Sequence, residues 1–360
     1  MAKGKQSKKR GGCGRLLLGT GLLLVLIPAG VAGWGWWRLQ TPYKGYPEPE
    51  RQVTVAQGKS ATQILLDLQK EGILADARLA RLYFIYALRD PKIQAGEYLF
   101  RGPLPAPQVL RMLVLGQIHS HHFTLVEGMT LDETADQLVG QGFGRREAFL
   151  AQMRSPQRIA DLDPEAQDLE GYLFPETYSF AAGTGEKDVV DMLVRTFRRR
   201  FEKYVRPLLA QGPPGRNPRD VRQVVILASI VEKEAKAASE RPLIAAVYQN
   251  RVNQKIGLAA DPTVIYALKK LGRWNGNLTR DDLRMDSPYN TYRWSGLPPG
   301  PICSPGLASL KAAAAPANVP YLYFVSRNDG THVFAETLQE HNRNVEIWQR
   351  QYWRERRAGR

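Results

Sequence analysis

Two cysteines in 360 residues, Cys13 and Cys303, exclude a disulfide framework, and the body must be held by its cores alone. Histidine is almost as scarce, with five in the chain. His119, His121 and His122 lie close together, but His121 and His122 would point to opposite faces of a strand. No cysteine or acidic partner stands at ligand spacing, so neither a metal nor any other cofactor is expected. A Gly-rich phosphate loop and a nucleophile elbow are both missing, and Ser229 has no G-x-S-x-G context. Acid is in deficit: 35 Asp and Glu face 50 Lys and Arg, for a net charge of +15. A basic surface suits nucleic acid, anionic lipid or an anionic polymer, and charge alone does not choose among them.

Uncharged stretches long enough to span a bilayer are also rare. There is one, Leu16 to Trp37, whose 22 residues would make a helix of about 33 Å. Lys3, Lys5, Lys8, Lys9, Arg10 and Arg15 precede it, and Trp34, Trp36 and Trp37 close it as an interfacial belt would. The pattern predicts a cytoplasmic tail over 1–15 and an anchor over 16–37 in the inner (cytoplasmic) membrane. A Pro-rich spacer over 38–50 then leads to an extracytoplasmic body. A cleaved signal peptide is the rival, with Gly30-Val31-Ala32 as its site. Little nucleic acid waits outside such a membrane, so nucleic acid is not expected as a partner.

The body opens with an internal repeat. Val53-Thr-Val-Ala-Gln-Gly58-Lys-Ser60-Ala-Thr-Gln63 continues to Leu68 and Gly72. Phe123-Thr-Leu-Val-Glu-Gly128-Met-Thr130-Leu-Asp-Glu133 continues likewise to Leu138 and Gly142. Each copy reads as strand, turn and capped helix: Ser60 with Gln63 and Thr130 with Glu133 have capping-box spacing. Two such units suit a compact binding module over 51–150. Further helices are expected near 78–87, 107–115, 189–205, 243–252 and 340–357. A strand–turn–strand is expected over 321–334. Arg195, Arg198, Arg199, Arg200 and Arg206 share one helix, either as a solvated face or as a patch for an anionic surface.

One carboxylate stands in an unusual place. Val224 to Val231 carries no charge and runs directly into Glu232-Lys-Glu234. On a buried helix Glu232 shares a face with Val225, Ala228 and Ser229. Desolvation there favours the protonated acid, as a general acid at a glycosidic oxygen requires. The plainer alternative is a helix that meets water at Glu232, pairing it with Lys236. Elsewhere, aromatic residues mix with polar turn residues in Asp168–Tyr178, Asp261–Tyr266 and Ser287–Tyr292. Such mixtures suit stacking on sugar rings and bonding to hydroxyls, or simply packed turns.

Taken together, Leu169-Glu-Gly-Tyr-Leu-Phe-Pro-Glu-Thr-Tyr178, Ala228-Ser-Ile-Val-Glu-Lys-Glu234, Val247-Tyr-Gln-Asn-Arg251, Asp261-Pro-Thr-Val-Ile-Tyr266, Tyr289-Asn-Thr-Tyr292, Gly296-Leu-Pro-Pro-Gly-Pro-Ile302 and Gly330-x-His332 resemble the YceG-like endolytic murein transglycosylase family. The resemblance spans roughly 50–350, in family order. It implies an α+β fold: a transmembrane helix, a LysM-like strand–helix module over 51–150 and a mixed catalytic domain over 151–360. It implies peptidoglycan glycan strands as substrate, a bilayer as support and peptidoglycan synthases as neighbours. Glu232 is then the catalytic acid. Tyr172, Glu176, Tyr178, Ser229, Asn250, Asp261, Thr263, Asn290 and Tyr292 become candidate glycan contacts. Departures fall at Ala259-Ala260, at Ser304-Pro-Gly306 and at Glu176, where the family usually has Gln, Asn-Pro-Gly and Asp.

The implied reaction is endolytic cleavage between N-acetylmuramic acid and N-acetylglucosamine, leaving 1,6-anhydro ends and limiting strand elongation. A two-carboxylate hydrolase is the mechanistic rival, with Glu176 a better second group than Glu234, which lies about 200° around the helix. A non-catalytic peptidoglycan-binding membrane scaffold is the rival of another class.

Overall fold

The computed structural model describes residues 12–117, 120–181, 183–211, 221–352, 354 and 356. The chain forms two compact units, Met1–His121 and His122–Arg360. The two copies of the repeat therefore fall in different units.

The first unit contains α1 (Gly12–Gln40), β1 (Glu50–Val55), α2 (Ala61–Lys70), α3 (Ala77–Tyr86), β2 (Gly96–Arg101) and α4 (Ala106–Leu115). β1 and β2 pair antiparallel, Val53 opposite Tyr98 and Val55 opposite Gly96. Alternation puts Val53 and Val55 into the core with Tyr98 and Phe100, against Leu65, Leu68, Phe84 and Leu110. The α2 capping box forms as its spacing predicts: Ser60 Oγ accepts the Gln63 N–H, and Gln63 Oε1 accepts the Ser60 N–H at 3.1 Å. Side chains of α1 are described from Leu26 onward; Trp36 meets Tyr83 with ring centroids 6.2 Å apart. Within the described residues no helix is long and apolar enough to cross a membrane. The first part of the Leu16–Trp37 run, the basic tail and Cys13 lie outside the residues whose side chains are described.

Strand β3 (Ser120–Thr124) leads into the second unit and pairs with β4 (Thr177–Ala181). Between them lie α5 (Leu131–Gly140) and α6 (Arg146–Met153). The helices α7 (Glu186–Tyr204), α8 (Arg206–Gln211), α9 (Val221–Glu234), α10 (Arg241–Asn253), α11 (Asp261–Lys270) and α12 (Leu307–Ala314) follow. A hairpin of β5 (Tyr323–Ser326) and β6 (His332–Ala335) leads to α13 (Leu338–Val345). The closing helix expected over 340–357 begins at Leu338 and changes type along its length: after Val345 it widens into a π-helical turn over Glu346–Gln351. The Gly-Pro-Pro-Gly break after Gln211 lies outside the described residues.

Helix α9 runs through the centre of this unit. From Val224 to Val231 no residue is more than 3% exposed, so the uncharged run is buried on every side. Each large apolar side chain buried there contributes roughly 1.5–3 kcal/mol relative to exposure. Gly171 lets another segment approach closely. Its φ is +83°, and a Cβ there would lie 2.7 Å from Val225 Cγ1 and 2.6 Å from Pro301 Cβ.

Candidate active site

Ser229, in the middle of α9, donates its hydroxyl to the Ile226 carbonyl at 2.7 Å and accepts the Ile302 N–H at 3.1 Å. The Cys303 thiol donates to the Ser229 carbonyl at 3.3 Å. Segment 302–306 is thereby clamped along the helix. Gly306, at its end, donates its N–H to Glu232 Oε2 at 2.9 Å. Helix α12 starts at the next residue, so the Glu232 carboxylate sits at a helix N-terminus, where unpaired N–H groups and the helix dipole favour negative charge. Arg241, first in α10, places Nη2 3.6 Å from Glu232 Oε1 and donates from Nε to Ser309 Oγ at 3.1 Å. The Glu232 side chain is only 7% exposed. Its burial follows from the sequence pattern; the Gly306 N–H and the Arg241 guanidinium, which contact its two oxygens, come from remote segments. Lys236, its alternative partner, lies beyond the end of α9.

A third segment reaches the same place. The Gly128 N–H donates to the Ser304 carbonyl at 2.8 Å, and the Ser304 N–H donates to the Met129 carbonyl at 2.8 Å. Lys233 Nζ adds a bond to the Gly128 carbonyl at 3.2 Å. This pairing carries Glu127 to Gly306: a Cβ on Gly306 would lie 1.9 Å from Glu127 Oε1. Glu127 is exposed, whereas Glu232 is almost covered. Partial desolvation, then the charge of Glu232, push the Glu127 carboxyl above the usual range, with Arg241 opposing. Ser304 Oγ is buried nearby without a hydrogen-bond partner among the described residues. The sequence reading passed over Glu127 as part of the repeat. A signal was present: Gln57 stands at the matching place in the first copy, so only the second copy carries a carboxylate.

Glu234 points elsewhere, as its spacing predicts. It is half-buried and accepts the Tyr248 hydroxyl at 3.1 Å. Desolvation first, then the charge of Asp261, push it up to about 7 despite that bond. Beyond it, Tyr292 donates to Asp261 Oδ1 at 2.5 Å, and both residues are exposed. The other candidate contacts are engaged within the protein. Tyr172 donates to Asp163 Oδ2 at 2.6 Å and packs edge-on against Phe197. Glu176 pairs with Arg200 at 2.5 Å. Tyr178 donates to the Phe174 carbonyl at 2.5 Å. Asn250 donates to the carbonyls of Val319 and Tyr321 at 2.8 and 3.0 Å. Thr263 donates to the Ala260 carbonyl at 2.7 Å, and Asn290 to those of Leu283 and Met285 at 3.0 and 2.9 Å. These residues shape the loops around the site through their polar atoms. The five arginines expected on one helix are divided, Arg195 to Arg200 on α7 and Arg206 at the start of α8, and are partly neutralised: Arg198 pairs with Asp161, Arg200 with Glu176, and Arg206 with Glu202.

A cavity of about 850 Å³ in this unit is lined by Glu133, Asp168, Glu170, Tyr266, Lys269 and Trp274, among others, and not by Glu232. Glu170 is buried there; its Oε2 accepts the Tyr266 hydroxyl at 3.1 Å and the Leu131 N–H at 3.3 Å. Its Oε1 has no partner among the described residues. Desolvation, reinforced by Asp168, pushes its carboxyl up to about 8. Among the described residues no group of His, Cys, Asp and Glu gathers to hold a metal ion.

The model of the YceG-like family matches residues 53–347. A Bacillus subtilis protein named endolytic murein transglycosylase is 30% identical, covering 82% of this chain and 83% of the relative. A Streptococcus pneumoniae protein of the same name is also 30% identical, over 81% of this chain; the match spans 57% of that longer relative. The crystal structure of a YceG-like protein from Listeria monocytogenes covers 82% of this chain and 99% of its own, at 30% identity and a TM-score of 0.55.

Proposed function

The chain belongs to the YceG-like family, and from that premise we propose that it is an endolytic murein transglycosylase with Glu232 as both acid and base. The observation that carries the residue assignment is the near-complete enclosure of Glu232 at the end of α9, with Gly306 and Arg241 fixing its two oxygens. Protonated Glu232 donates to the oxygen between N-acetylmuramic acid and N-acetylglucosamine. The N-acetyl group supports the developing oxocarbenium ion. Glu232, now charged, takes the proton of the muramyl C6 hydroxyl, which closes on C1 and leaves a 1,6-anhydro end. The Gly306 N–H and the Arg241 guanidinium stabilise the carboxylate in that interval. One group serves twice, because no water has to be activated.

The exposed pair Asp261–Tyr292 is the part of the candidate contact set best placed for sugar: a free aromatic face beside a hydroxyl and a carboxylate. The uncharged Leu16–Trp37 run, set within the continuous helix α1, supports a single-pass membrane anchor with the body outside. The LysM-like reading of the repeat and a place beside peptidoglycan synthases belong to the same proposal. The test is incubation of the full chain in detergent with uncrosslinked glycan strands, followed by mass spectrometry of the new ends. Anhydro-muramyl ends, reduced about 10³-fold or more in Glu232→Gln, are expected. Strand binding without any cleavage by the parent chain would refute the proposal and leave a scaffold.

A further inference from the structure

Resting on the reading of Glu232 as acid and base, we propose that Glu127 is the second carboxylate of this site, a positioning residue that acts through Glu232 by sharing one proton with it. Both carboxylates converge on Gly306. Glu232 Oε2 accepts the Gly306 N–H at 2.9 Å, and Glu127 Oε1 occupies the space where a side chain at 306 would begin. They differ in exposure. Glu232 is nearly enclosed, and Glu127 faces solvent on the loop that leads from β3 to α5.

Two carboxylates that converge on one glycine repel each other, and Glu127 is raised first by partial desolvation and then by the charge of Glu232. The groups that face the pair are Arg241 from α10, Lys233 from α9 and the Cys303 thiol, which burial pushes far up and keeps neutral. Arg241 and the Gly306 N–H favour charge on Glu232, which opposes its work as an acid. The negative charge of Glu127 acts the other way and opposes the build-up of charge beside it. His332 and Glu240 form the nearest further titratable pair, behind Arg241. The proton balance closes. The pair holds one proton before cleavage, releases it to the leaving oxygen, and regains one from the C6 hydroxyl.

Glu127 suits substitution, since it is exposed and no hydrogen bond of its side chain to another described residue is found. The experiment measures kcat/KM against pH for the full chain and for Glu127→Gln and Glu127→Asp, with Glu232→Gln as reference and thermal melting as the check on folding. In Glu127→Gln the alkaline limb should move down by about one pH unit, a roughly tenfold loss above it. Glu127→Asp should restore most of the shift. An unmoved limb in folded Glu127→Gln overturns the proposal, while loss of cleavage in Glu232→Gln leaves the reading of Glu232 standing. Retained cleavage in Glu232→Gln overturns that reading instead. Reducing ends that vanish in Glu127→Gln would also overturn the proton-sharing role, because Glu127 would then be activating water.

Discussion

His332 gives Glu240 two contacts: its backbone N–H meets Oε1 at 2.9 Å, and its Nδ1 stands 2.7 Å from Oε2. Both side chains are about nine-tenths buried. Glu240 immediately precedes Arg241, whose guanidinium faces Glu232 across 3.6 Å. The hairpin of β5 and β6 therefore fixes the start of α10, and through it the cation beside the acid. His332→Ala keeps the backbone N–H on Oε1 but leaves the buried Oε2 without its side-chain partner, at a cost of about 1–3 kcal/mol. We expect a lower melting temperature together with lower kcat on glycan strands, since Arg241 loses its anchor. Unchanged melting and kcat would mean that the pair does not position Arg241.

Gly306→Ala tests the convergence of the two carboxylates without changing either. The backbone at 306 has φ −72° and ψ 168°, which alanine adopts freely. The new methyl would lie 1.9 Å from Glu127 Oε1 and 2.3 Å from its Cδ, the far end of a flexible side chain. The carboxylate has to swing away, and the Gly306 N–H can remain on Glu232. The variant should therefore fold almost as well as the parent. Its kcat/KM profile should resemble that of Glu127→Gln, with the alkaline limb displaced downward. A profile identical to the parent's would separate Glu127 from the reaction.

The enclosed carboxylate on α9 was legible because its cause is local: an uncharged run of helical length ends in Glu232. The capping boxes at Ser60 and Thr130 were legible for the same reason, and the late strand–turn–strand was marked by its turn residues. Contacts that depend on remote chain segments were not. Gly306 lies 74 residues beyond Glu232 and Glu127 lies 105 before it, and no spacing rule joins them. The mixed aromatic and polar turns also have partners that no local spacing shows. Tyr172, Thr263 and Asn290 look like sugar contacts in one dimension, yet their polar atoms bond within the protein to satisfy buried loops. Glu176, a candidate second carboxylate in one dimension, is paired with Arg200, 24 residues on.

Gly171→Ala probes the close packing that seats α9. A residue with a Cβ at φ +83° is strained by about 1–2 kcal/mol, and contacts of 2.6 and 2.7 Å with Pro301 and Val225 add overpacking of about 1–3 kcal/mol. Neither neighbour can yield easily, since Val225 is fully buried. We expect a clear drop in melting temperature, with activity lost through destabilisation rather than through the site. Full recovery of kcat at low temperature would accord with this; persistent loss would place Gly171 in the reaction itself.

Glu170 makes a pH-dependent contribution whose sign can be worked out. Burial holds its folded-state value at about 8, well above the ordinary 4.5. Between those limits the native state binds more protons than the unfolded chain, so stability falls as pH rises. The contribution is fully present below about 4.5 and is lost progressively up to about 8, on the order of a few kcal/mol. Glu170→Gln keeps the shape of the neutral acid. Its oxygen can still accept from the Leu131 N–H and the Tyr266 hydroxyl, and it cannot ionise. The variant should match the parent near pH 5 and exceed its melting temperature near pH 8. Glu234, pushed up to about 7, adds a slope of the same sign that both proteins share, so the difference between their curves isolates Glu170. Parallel melting curves across this range would show that Glu170 is ionised in the folded protein, with a cation or water supplying what its unpartnered Oε1 lacks.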